Sequence, residues 1–280
     1  MNELKPNISV GSLLLNAGKL KLQDLELIQH CQKEQGLRFG EAAVKLGFVA
    51  EVDIQQALAQ QFNYPYLKAG EEGFSQELVA AYQPFSPHVE TLRGLRSQLR
   101  LRWLNEENKQ LALVGSGSRV GCSYLAANLA IVFSQLGPQT LLVDANMRNP
   151  CQHQLFNLTQ QQGLSDLLAG RIGMEAISKI PSFVDLSILP AGTLPPNPQE
   201  LLGRPAFGFL LRELAKKYDV ILLDTPNGLV YAVMQNIVAE TGAALLVMHK
   251  HKTLLSDANA IKAQVSNAKA QIVGVVLNEF

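Results

Sequence analysis

The sequence contains little cysteine and carries no net charge, and each of these absences limits the kind of protein that it encodes. Its three cysteines, Cys31, Cys122 and Cys151, lie far apart and form no metal-ligand spacing. We interpret them as the reduced thiols of a cytoplasmic protein. The 24 basic and 24 acidic side chains cancel, so the sequence lacks the basic excess that is typical of nucleic-acid-binding proteins.

Long hydrophobic runs are also missing, although 47% of the residues are hydrophobic. No run reaches the roughly 18 residues that cross a membrane, and residues 1–11 lack the charged start and apolar core of a signal peptide. A cytoplasmic location is therefore predicted. The length of 280 residues accommodates one large domain and one small one.

Short β-rich runs alternate with helical patterns after Glu107 and predict the main domain. The candidate strands are LALVGS, TLLVDA, LSILPAG, VILLDT, ALLVMH and IVGVVL. Most of them are apolar throughout, as strands of a parallel sheet covered on both faces should be. We predict an α/β fold with a doubly wound, mostly parallel sheet over residues 88–280, whose ligand lies beyond the carboxyl ends of the strands.

The N-terminal part has helical periodicity and an internal repeat, which predict a small all-α domain over residues 1–70. A constant offset of 29 residues relates the two copies. The matched pairs include Gly11 with Gly40, Gly18 with Gly47, and Gln32 with Gln61. Glycine and proline punctuate residues 71–87, which are predicted to form a linker before a helix from about His88 to Trp103.

The repeat resembles the N-terminal domain of type II secretion and pilus ATPases, in some of which a tandem motif of this spacing binds cyclic di-GMP. The second copy has the arginine and glutamine of that motif at Arg38 and Gln61, whereas the first copy keeps only Gln32. Two interpretations remain open. The domain is either a helical docking module without a ligand, or a cyclic di-GMP site in which Arg38 grips phosphate or stacks on a base.

A strand, a glycine-rich loop and a helix follow one another in the segment LALVGSGSRVGCSYLAANLA. This order predicts a phosphate cradle, because backbone N–H groups and the helix dipole point at the anion. A standard P-loop ends in Gly-Lys-Ser or Gly-Lys-Thr. Here Gly121 and Ser123 fit, while Cys122 takes the place of the lysine. Gly117 and Tyr124 complete the predicted nucleotide-binding residues of this segment.

Acidic residues end two of the candidate strands. Asp144 ends TLLVD and Asp224 ends VILLD, and carboxylates at such positions hold Mg²⁺ and orient an attacking hydroxyl. Ser123 is predicted to be a further metal ligand. Arg148, shortly after the first of these strands, is predicted to bind the nucleotide, and Asn278, at the end of the last strand, is predicted to recognise its base.

These segments resemble the cytoplasmic tyrosine kinases that control bacterial polysaccharide chain length, and their relatives, the septum-site and chromosome-partitioning ATPases. GCSYLAANLA, LLVDANMRNP and PAGTLPPNPQELL are similar to the kinase motifs GKSTxxANLA, LLVDADxRxP and PxGxxPPNPxELL. The resemblance implies ATP or ADP and Mg²⁺ as cofactors, with catalytic roles for Asp144 and Asp224. It also implies a membrane-anchored chain-length determinant protein as the partner, at the inner face of the membrane.

The predicted helix from His88 carries the family's E-x-x-R-x-x-R pattern as Glu90, Arg93 and Arg96. In the family this helix supports ring-shaped oligomers, so the resemblance implies self-association through it. The three residues lie at i, i+3 and i+6, close to one face of the helix.

The sequence departs from the kinase motifs in its charges. Cys122 replaces the P-loop lysine and Asn146 replaces the second aspartate of the DxD motif, so charge that develops on the phosphates loses its counter-ion. No tyrosine cluster follows the last candidate strand. We therefore predict a weak or inactive kinase that regulates exopolysaccharide biosynthesis and chain length. The alternatives are a positioning ATPase of the partitioning class and a secretion or pilus assembly factor.

Overall fold

The computed structural model describes residues 9–279 except 63, 65, 68–72, 118, 230 and 231. The chain divides into two units, Met1–Tyr66 and Leu67–Phe280. Within the described ranges, no helix combines the length and the apolar character that crossing a membrane requires.

The described part of the first unit contains helices in two similar pairs. They are α1 (Val10–Asn16), α2 (Leu22–Gln35), α3 (Phe39–Lys45) and α4 (Glu51–Gln61). α3 begins 29 residues after α1, and α4 begins 29 residues after α2, which is the offset of the sequence repeat. α1 packs against α4 and α2 packs against α3, so the two copies share one core.

A glycine with a left-handed backbone lies between the two helices of each pair. Gly18 has a φ of +68° and Gly47 has a φ of +73°, a region that residues with a Cβ disfavour. Equivalent turns therefore lead from the short first helix of each copy into its longer second helix. The core beside these turns includes the buried side chains of Leu14, Ile28 and Ala42.

Acidic residues in the first turn help to define where α2, α3 and α4 begin. The carboxylates of Asp24, Glu41 and Asp53 each accept a hydrogen bond from the backbone N–H three residues earlier, at 2.7, 2.8 and 2.9 Å. Each carboxylate satisfies a backbone donor at the start of its helix and stabilises the positive end of the helix dipole.

Parts of the segment predicted as a linker, residues 71–87, pack into the second unit. Phe74 is buried in the core of the second unit, and its ring packs edge-on against Phe156. The backbone N–H of Ala80 donates to Asn128 Oδ1 at 2.9 Å. Gly73 and Pro84 lie in turns and Pro87 begins α6, and this punctuation is why the pattern resembles a linker.

The second unit contains alternating strands and helices. Its strands are β1 (Gln110–Gly115), β2 (Thr140–Asp144), β3 (Ser178–Lys179), β4 (Leu186–Leu189), β5 (Val220–Asp224), β6 (Ala243–His249) and β7 (Gln271–Asn278). Its helices are α5 (Val79–Tyr82), α6 (Pro87–Arg102), α7 (Cys122–Ser134), α8 (Gln152–Leu155), α9 (Leu164–Leu168), α10 (Pro198–Leu202), α11 (Pro205–Ala215), α12 (Val233–Thr241) and α13 (Leu255–Asn267). A 3₁₀ turn lies at Met174–Ala176.

The strands of the second unit form one sheet in the order β3-β4-β2-β5-β1-β6-β7. Neighbouring strands are parallel throughout, except that β3 is antiparallel to β4. The predicted α/β fold with a doubly wound, mostly parallel sheet is therefore confirmed. β3 lies outside the predicted strands, because a two-residue strand leaves no periodic signal in a sequence.

Helices cover both faces of the sheet, which explains why its central strands are apolar throughout. Leu113, Leu142 and Leu222 belong to the core cluster that includes α6 and α7. Val114 and Val143, which point to the other face, belong to the cluster that includes α11, α12 and α13. The strand order places the carboxyl ends of β1, β2 and β5 side by side in the middle of the sheet, where a ligand of this fold binds.

Candidate functional site

A tight loop connects β1 to α7 and borders a cavity of about 490 Å³. A Cβ added to Gly115, at the end of β1, would lie 2.9 Å from the side chain of Val120, so the closed loop favours glycine there. Gly121 has a φ of +82° and leads directly into the first turn of α7. The loop thus directs the N-terminal end of a 13-residue helix at the cavity, as anion binding requires.

The cavity brings together most of the residues predicted to bind nucleotide. Gly117, Gly121, Cys122, Ser123 and Tyr124 all line it. These residues lie together because the loop and the first turn of α7 follow each other in the sequence and border the same cavity.

Polar residues that follow the ends of β2 and β5 complete the lining, and the P-loop motif does not include them. Besides Asn146, which the kinase motif covers, they are Asn149, Thr225 and Asn227. Their position after a strand's carboxyl end is the signal in the sequence that could have identified them. Arg119 also lines the cavity, and it is the charged residue in the described lining. Its backbone is left-handed, with a φ of +57°.

Two residues predicted to bind nucleotide are not in the lining of the cavity. Arg148 is exposed and does not line the cavity. Asn278, at the end of β7, donates from Nδ2 to the backbone oxygen of Val120 at 2.9 Å. The side chain predicted to recognise a base therefore holds the glycine-rich loop in place, because β7 ends close to that loop.

The phenol of Tyr124 connects the start of α7 to the start of α6. Its hydroxyl lies 3.0 Å from Nε2 of His88, within hydrogen-bond distance. Burial, with a smaller effect of the Glu77 charge, raises the pKa of Tyr124. The residue therefore lines the cavity as a neutral phenol with a fixed orientation.

The thiol of Cys122 points toward the sheet and provides no positive charge. Its Sγ donates to the backbone oxygen of Leu113 at 3.2 Å, and the hydroxyl of Thr225 donates to the same oxygen at 2.7 Å. Burial, followed by the nearby Asp224 charge, raises the pKa of this thiol well above its usual range. The P-loop lysine has thus been replaced by a neutral, inward-facing group.

Asp144 and Asp224 lie opposite each other where β2 and β5 end, and neither is exposed to solvent. The carboxylate of Asp144 accepts three backbone hydrogen bonds. One comes from the N–H of Asn146 at 3.1 Å, and the others come from Cys151 and Gln152 at 3.0 Å each. Backbone donors therefore occupy most of the hydrogen-bond acceptor positions of the Asp144 carboxylate.

The hydrogen bonding of Asp224 is incomplete. Its Oδ2 accepts from Nε2 of Gln152 at 2.8 Å, and the same amide donates to the backbone oxygen of Ser123 at 3.1 Å. Its Oδ1 is buried and accepts no hydrogen bond from any described residue. Gln152 therefore connects the first turn of α7 to β5. No motif predicts this role, because it depends on the turn that follows β2.

Burial raises the pKa of both carboxyl groups, and the Asp224 charge raises the pKa of Asp144 further. Hydrogen bonds from backbone N–H groups lower the pKa of Asp144 and offset part of this rise. Hydrogen bonds from Gln152, Ser123 and Cys122 lower the pKa of Asp224 in the same way. Burial has the larger effect in both cases. The pair consequently retains a proton at pH values where an exposed carboxyl group has lost it.

The residues present fit a Mg²⁺ ion. Asp224 has a buried oxygen without a donor, and the carboxylate of Asp144 and the side chain of Ser123 lie close to it. In the described parts of the chain, no group of three or more histidine, cysteine or acidic side chains forms a complete metal cage. Mg²⁺ takes one or two carboxylates and completes its shell with phosphate oxygens and water, so two carboxylates and a hydroxyl are a sufficient protein contribution.

The three residues predicted to mediate self-association are not equally placed. The Arg93 guanidinium forms an ion pair with the carboxylate of Glu90 on the same helix. Arg96 donates from Nη1 to the backbone oxygen of Val132 in α7 at 2.6 Å. Arg96 therefore contributes to packing inside the second unit, while Glu90 remains exposed.

The residues predicted to bind cyclic di-GMP are also separated. Arg38, at the start of α3, lines a groove of about 650 Å³ in the first unit, together with Phe39, Glu41 and Lys45. The glutamines of the motif do not line this groove. The side chain of Gln32 donates to a backbone oxygen at the end of its own copy, and Gln61 ends α4.

Comparison with known proteins places this geometry in a family. A family model described as cellulose biosynthesis protein BcsQ matches residues 108–265. The tyrosine-protein kinase Wzc of Salmonella typhi is 31% identical over 204 residues, which are 73% of this chain and 28% of Wzc. The putative tyrosine-protein kinase CapB of Staphylococcus aureus is 33% identical over 205 residues, which are 71% of this chain and 87% of CapB.

A solved structure is also similar to this chain. The crystal structure of the chimerical protein CapA2B2 superimposes with a TM-score of 0.69 at 31% identity, over 80% of this chain and 97% of that one. The chain spans just over a quarter of the length of Wzc, whereas it covers most of CapB. The similarity to Wzc is thus a similarity to part of a longer protein.

The raised pKa values of the carboxyl pair predict how the free energy of unfolding depends on pH. A raised carboxyl pKa means that the folded protein holds a proton that the unfolded chain releases. This stabilisation is complete below the ordinary carboxyl pKa of about 4 and is lost as the pH rises through the raised pKa. Without Mg²⁺ or nucleotide, the free energy of unfolding should fall by on the order of 1–3 kcal/mol between pH 5 and pH 8.

Asp224→Asn should flatten this pH dependence, because it removes the charge and keeps the acceptor for Gln152. Urea unfolding at several pH values measures the effect. Asp144→Asn should flatten it as well, because the pKa of Asp144 is also raised, and it should in addition lower stability at every pH, since an amide cannot accept all three backbone hydrogen bonds. A wild-type stability that rises over this pH range would contradict the assignment.

Proposed function

We infer that this chain is a nucleotide-binding, kinase-like regulator of exopolysaccharide biosynthesis, because it belongs to the BcsQ-like family of P-loop proteins, together with the bacterial tyrosine-protein kinases. The observation that supports this most directly is the cavity at the N-terminal end of α7, beside two buried carboxylates. We propose that ATP or ADP binds there with Mg²⁺.

The chain's own residues suggest a role for each part of this cavity. Backbone N–H groups around Gly121 and Ser123, aided by the dipole of α7, hold the phosphates. Ser123, Asp144 and Asp224 hold Mg²⁺, which supplies positive charge to the phosphate oxygens when it is bound. In the proposed kinase chemistry, Asp144 and Asp224 also orient the attacking hydroxyl.

Phosphoryl transfer is proposed to be weak or absent. The thiol of Cys122 faces Leu113 and is neutral, so no lysine charge reaches the transferred group. Asn146 lines the cavity with an amide in place of a carboxylate. By analogy with the loss of one oxyanion-hole donor, the missing cation should lower the rate by about 10²–10³-fold.

Fewer observations support the two alternatives, a positioning ATPase and a secretion or pilus assembly factor. The kinase-like segment PAGTLPPNPQELL and the helix with Glu90, Arg93 and Arg96 favour the kinase branch over the partitioning class. The secretion hypothesis depends on the first unit alone. Neighbouring genes for glycosyltransferases and a membrane-anchored chain-length determinant protein would favour the kinase branch, and would identify the partner that holds the chain at the inner face of the membrane.

Restoring the missing charges should strengthen nucleotide binding. Cys122→Lys combined with Asn146→Asp is expected to raise ADP and ATP affinity by at least tenfold, and to raise phosphate release where turnover exists, because both groups act on phosphates or metal. Titration calorimetry and phosphate release at saturating Mg²⁺ measure the two effects. Cys122→Ser is the control, since it removes the thiol without adding a charge.

Strong tyrosine labelling from ATP by the unmodified protein would show that the site is not degenerate. Abolition of that labelling by Asp144→Ala would confirm that the activity belongs to this cavity. Arg119 or Arg148 would then be the substitute cation to test first.

Self-association is proposed to use the exposed part of α6. Glu90→Ala with Arg93→Ala should reduce the mass measured by light scattering, because it removes the exposed carboxylate of Glu90 and the guanidinium that forms an ion pair with it. Arg96→Ala is expected to lower the unfolding temperature as well, since it removes the contact with Val132. A wild-type monomer, or an oligomer that survives the double change, would exclude this interface.

Cyclic di-GMP binding is proposed for the first unit because Arg38 lines a groove there. Titration of the full chain with cyclic di-GMP should give binding that Arg38→Ala weakens by tenfold or more, since a guanidinium both grips phosphate and stacks on bases. Lys33→Ala, on the exposed side of α2, is the charge-matched control. No heat at submillimolar ligand would leave the unit as a docking module.

A further inference from the structure

A second polar cavity lies beyond the carboxyl end of β4, outside the cavity at α7. Its volume is about 270 Å³, and its lining includes the charged side chains of Arg171, Glu200 and Arg204. None of these three residues lines the cavity at α7. In the sheet, β2 and β5 separate β4 from β1. The second cavity is therefore a separate feature at the same end of the strands, and the proposed nucleotide site does not account for it.

The loop that forms one wall of this cavity is held in a fixed shape. The buried carboxylate of Asp166 accepts from the backbone N–H of Thr193 at 2.9 Å and from that of Gly163 at 3.1 Å. Gly192 has a φ of +82°, and a Cβ added to it would lie 2.5 Å from Asp166 Oδ2. Ser165 donates from Oγ to the backbone oxygen of Thr193 at 2.6 Å. A ligand thus meets a wall that is already formed, which lowers the entropic cost of binding.

The two arginines line the cavity from different segments of the chain. Arg171 follows α9, and its Nη1 lies 3.4 Å from Asp166 Oδ1, beyond the usual length of a strong hydrogen bond. Arg204 directly precedes α11, and the structure gives its guanidinium no ion-pair partner among the described residues. Each guanidinium has five N–H donors, so most of the donors of both arginines remain for a ligand.

The lining indicates the chemical class of that ligand. Two guanidinium groups and one carboxylate, that of Glu200, leave an excess of positive charge. The three terminal oxygens of a phosphate monoester can accept from two guanidinium groups at once, whereas the two oxygens of a carboxylate suit one. Leu194 and Pro195 add an apolar part to the lining, and Leu194 is 65% exposed. An organic group attached to the phosphate can bury apolar surface against them.

We propose that this cavity binds a phosphate monoester, with Arg171 and Arg204 on the phosphate and with Leu194 and Pro195 against its organic part. The site is distinct from the cavity at α7, so it does not depend on the binding of ATP or ADP there. Glu200 lies in the same lining and repels the anion, so its charge weakens the affinity.

Phenyl phosphate is the probe for this site. The full chain, isotope-labelled, is titrated with it while the backbone amide signals are followed by NMR. The largest shifts are expected at Thr193, Leu194 and Asn197 and near Arg171, beyond those that NaCl of equal ionic strength causes. Phosphate bound at the glycine-rich loop would instead shift residues 117–123, so the two cavities are observed separately. Inorganic phosphate should bind more weakly, because it lacks the organic part, and equal affinity would contradict an ester as the ligand.

Variants of the charged lining residues test the assignment. Arg171→Gln and Arg204→Gln should each weaken phenyl phosphate binding by about tenfold, since each removes charge-assisted hydrogen bonds to the phosphate. Glu200→Gln should strengthen it, because it removes the negative charge of the lining. Arg212→Gln is the charge-matched control, because Arg212 is exposed on α11 and does not line the cavity.

Arg204 makes no side-chain contact in the described part of the chain, so its substitution tests the site without disturbing the fold. Amide shifts confined to residues 117–123 would overturn the proposal. An affinity that neither Arg204→Gln nor Glu200→Gln changes would overturn it too, as would an equal loss of affinity in Arg212→Gln.

Discussion

The parallel pairing of β2 with β5 is the constraint on which the candidate site depends. The strands are in register, so Asp144 and Asp224 stand opposite each other where both strands end. Helices on both faces of the sheet keep the two carboxylates out of water. Two like charges in a medium of low dielectric constant repel each other, and the raised pKa of both carboxyl groups means that the pair retains a proton more readily than exposed carboxyl groups do.

The loss of the P-loop lysine changes how that charge is balanced. Arg119 is the charged residue of the described lining, but it is exposed on the loop while the carboxylates are buried below it. An exposed guanidinium is screened by water and is a weak counter-ion for a buried group. Cys122 instead fills its position as a small neutral group against Leu113. The lysine position is therefore filled without adding a positive charge, and the carboxyl pair reduces its own negative charge by retaining a proton.

Much of the fold could be predicted from the sequence, because apolar strands and a repeat with a constant offset leave periodic signals. The two acidic residues were also predictable, since they end such strands. Gln152 and the burial of Phe74 were not, because both depend on contacts between segments that are distant in the sequence. The same holds for Asn278, whose amide holds the loop at Val120. Motifs identify which groups are present, but packing decides what each one contacts.

The contacts between α6 and α7 connect the predicted self-association surface to the phosphate site. His88 and Tyr124 approach each other at the starts of the two helices, and Arg96 bonds to the oxygen of Val132 near the end of α7. α6 is thus fixed to α7 at two points eight residues apart, beside the helix whose first turn borders the cavity. Any shift of α6 on self-association would displace Tyr124. By thermodynamic reciprocity, nucleotide binding would then change the affinity between subunits by the same factor.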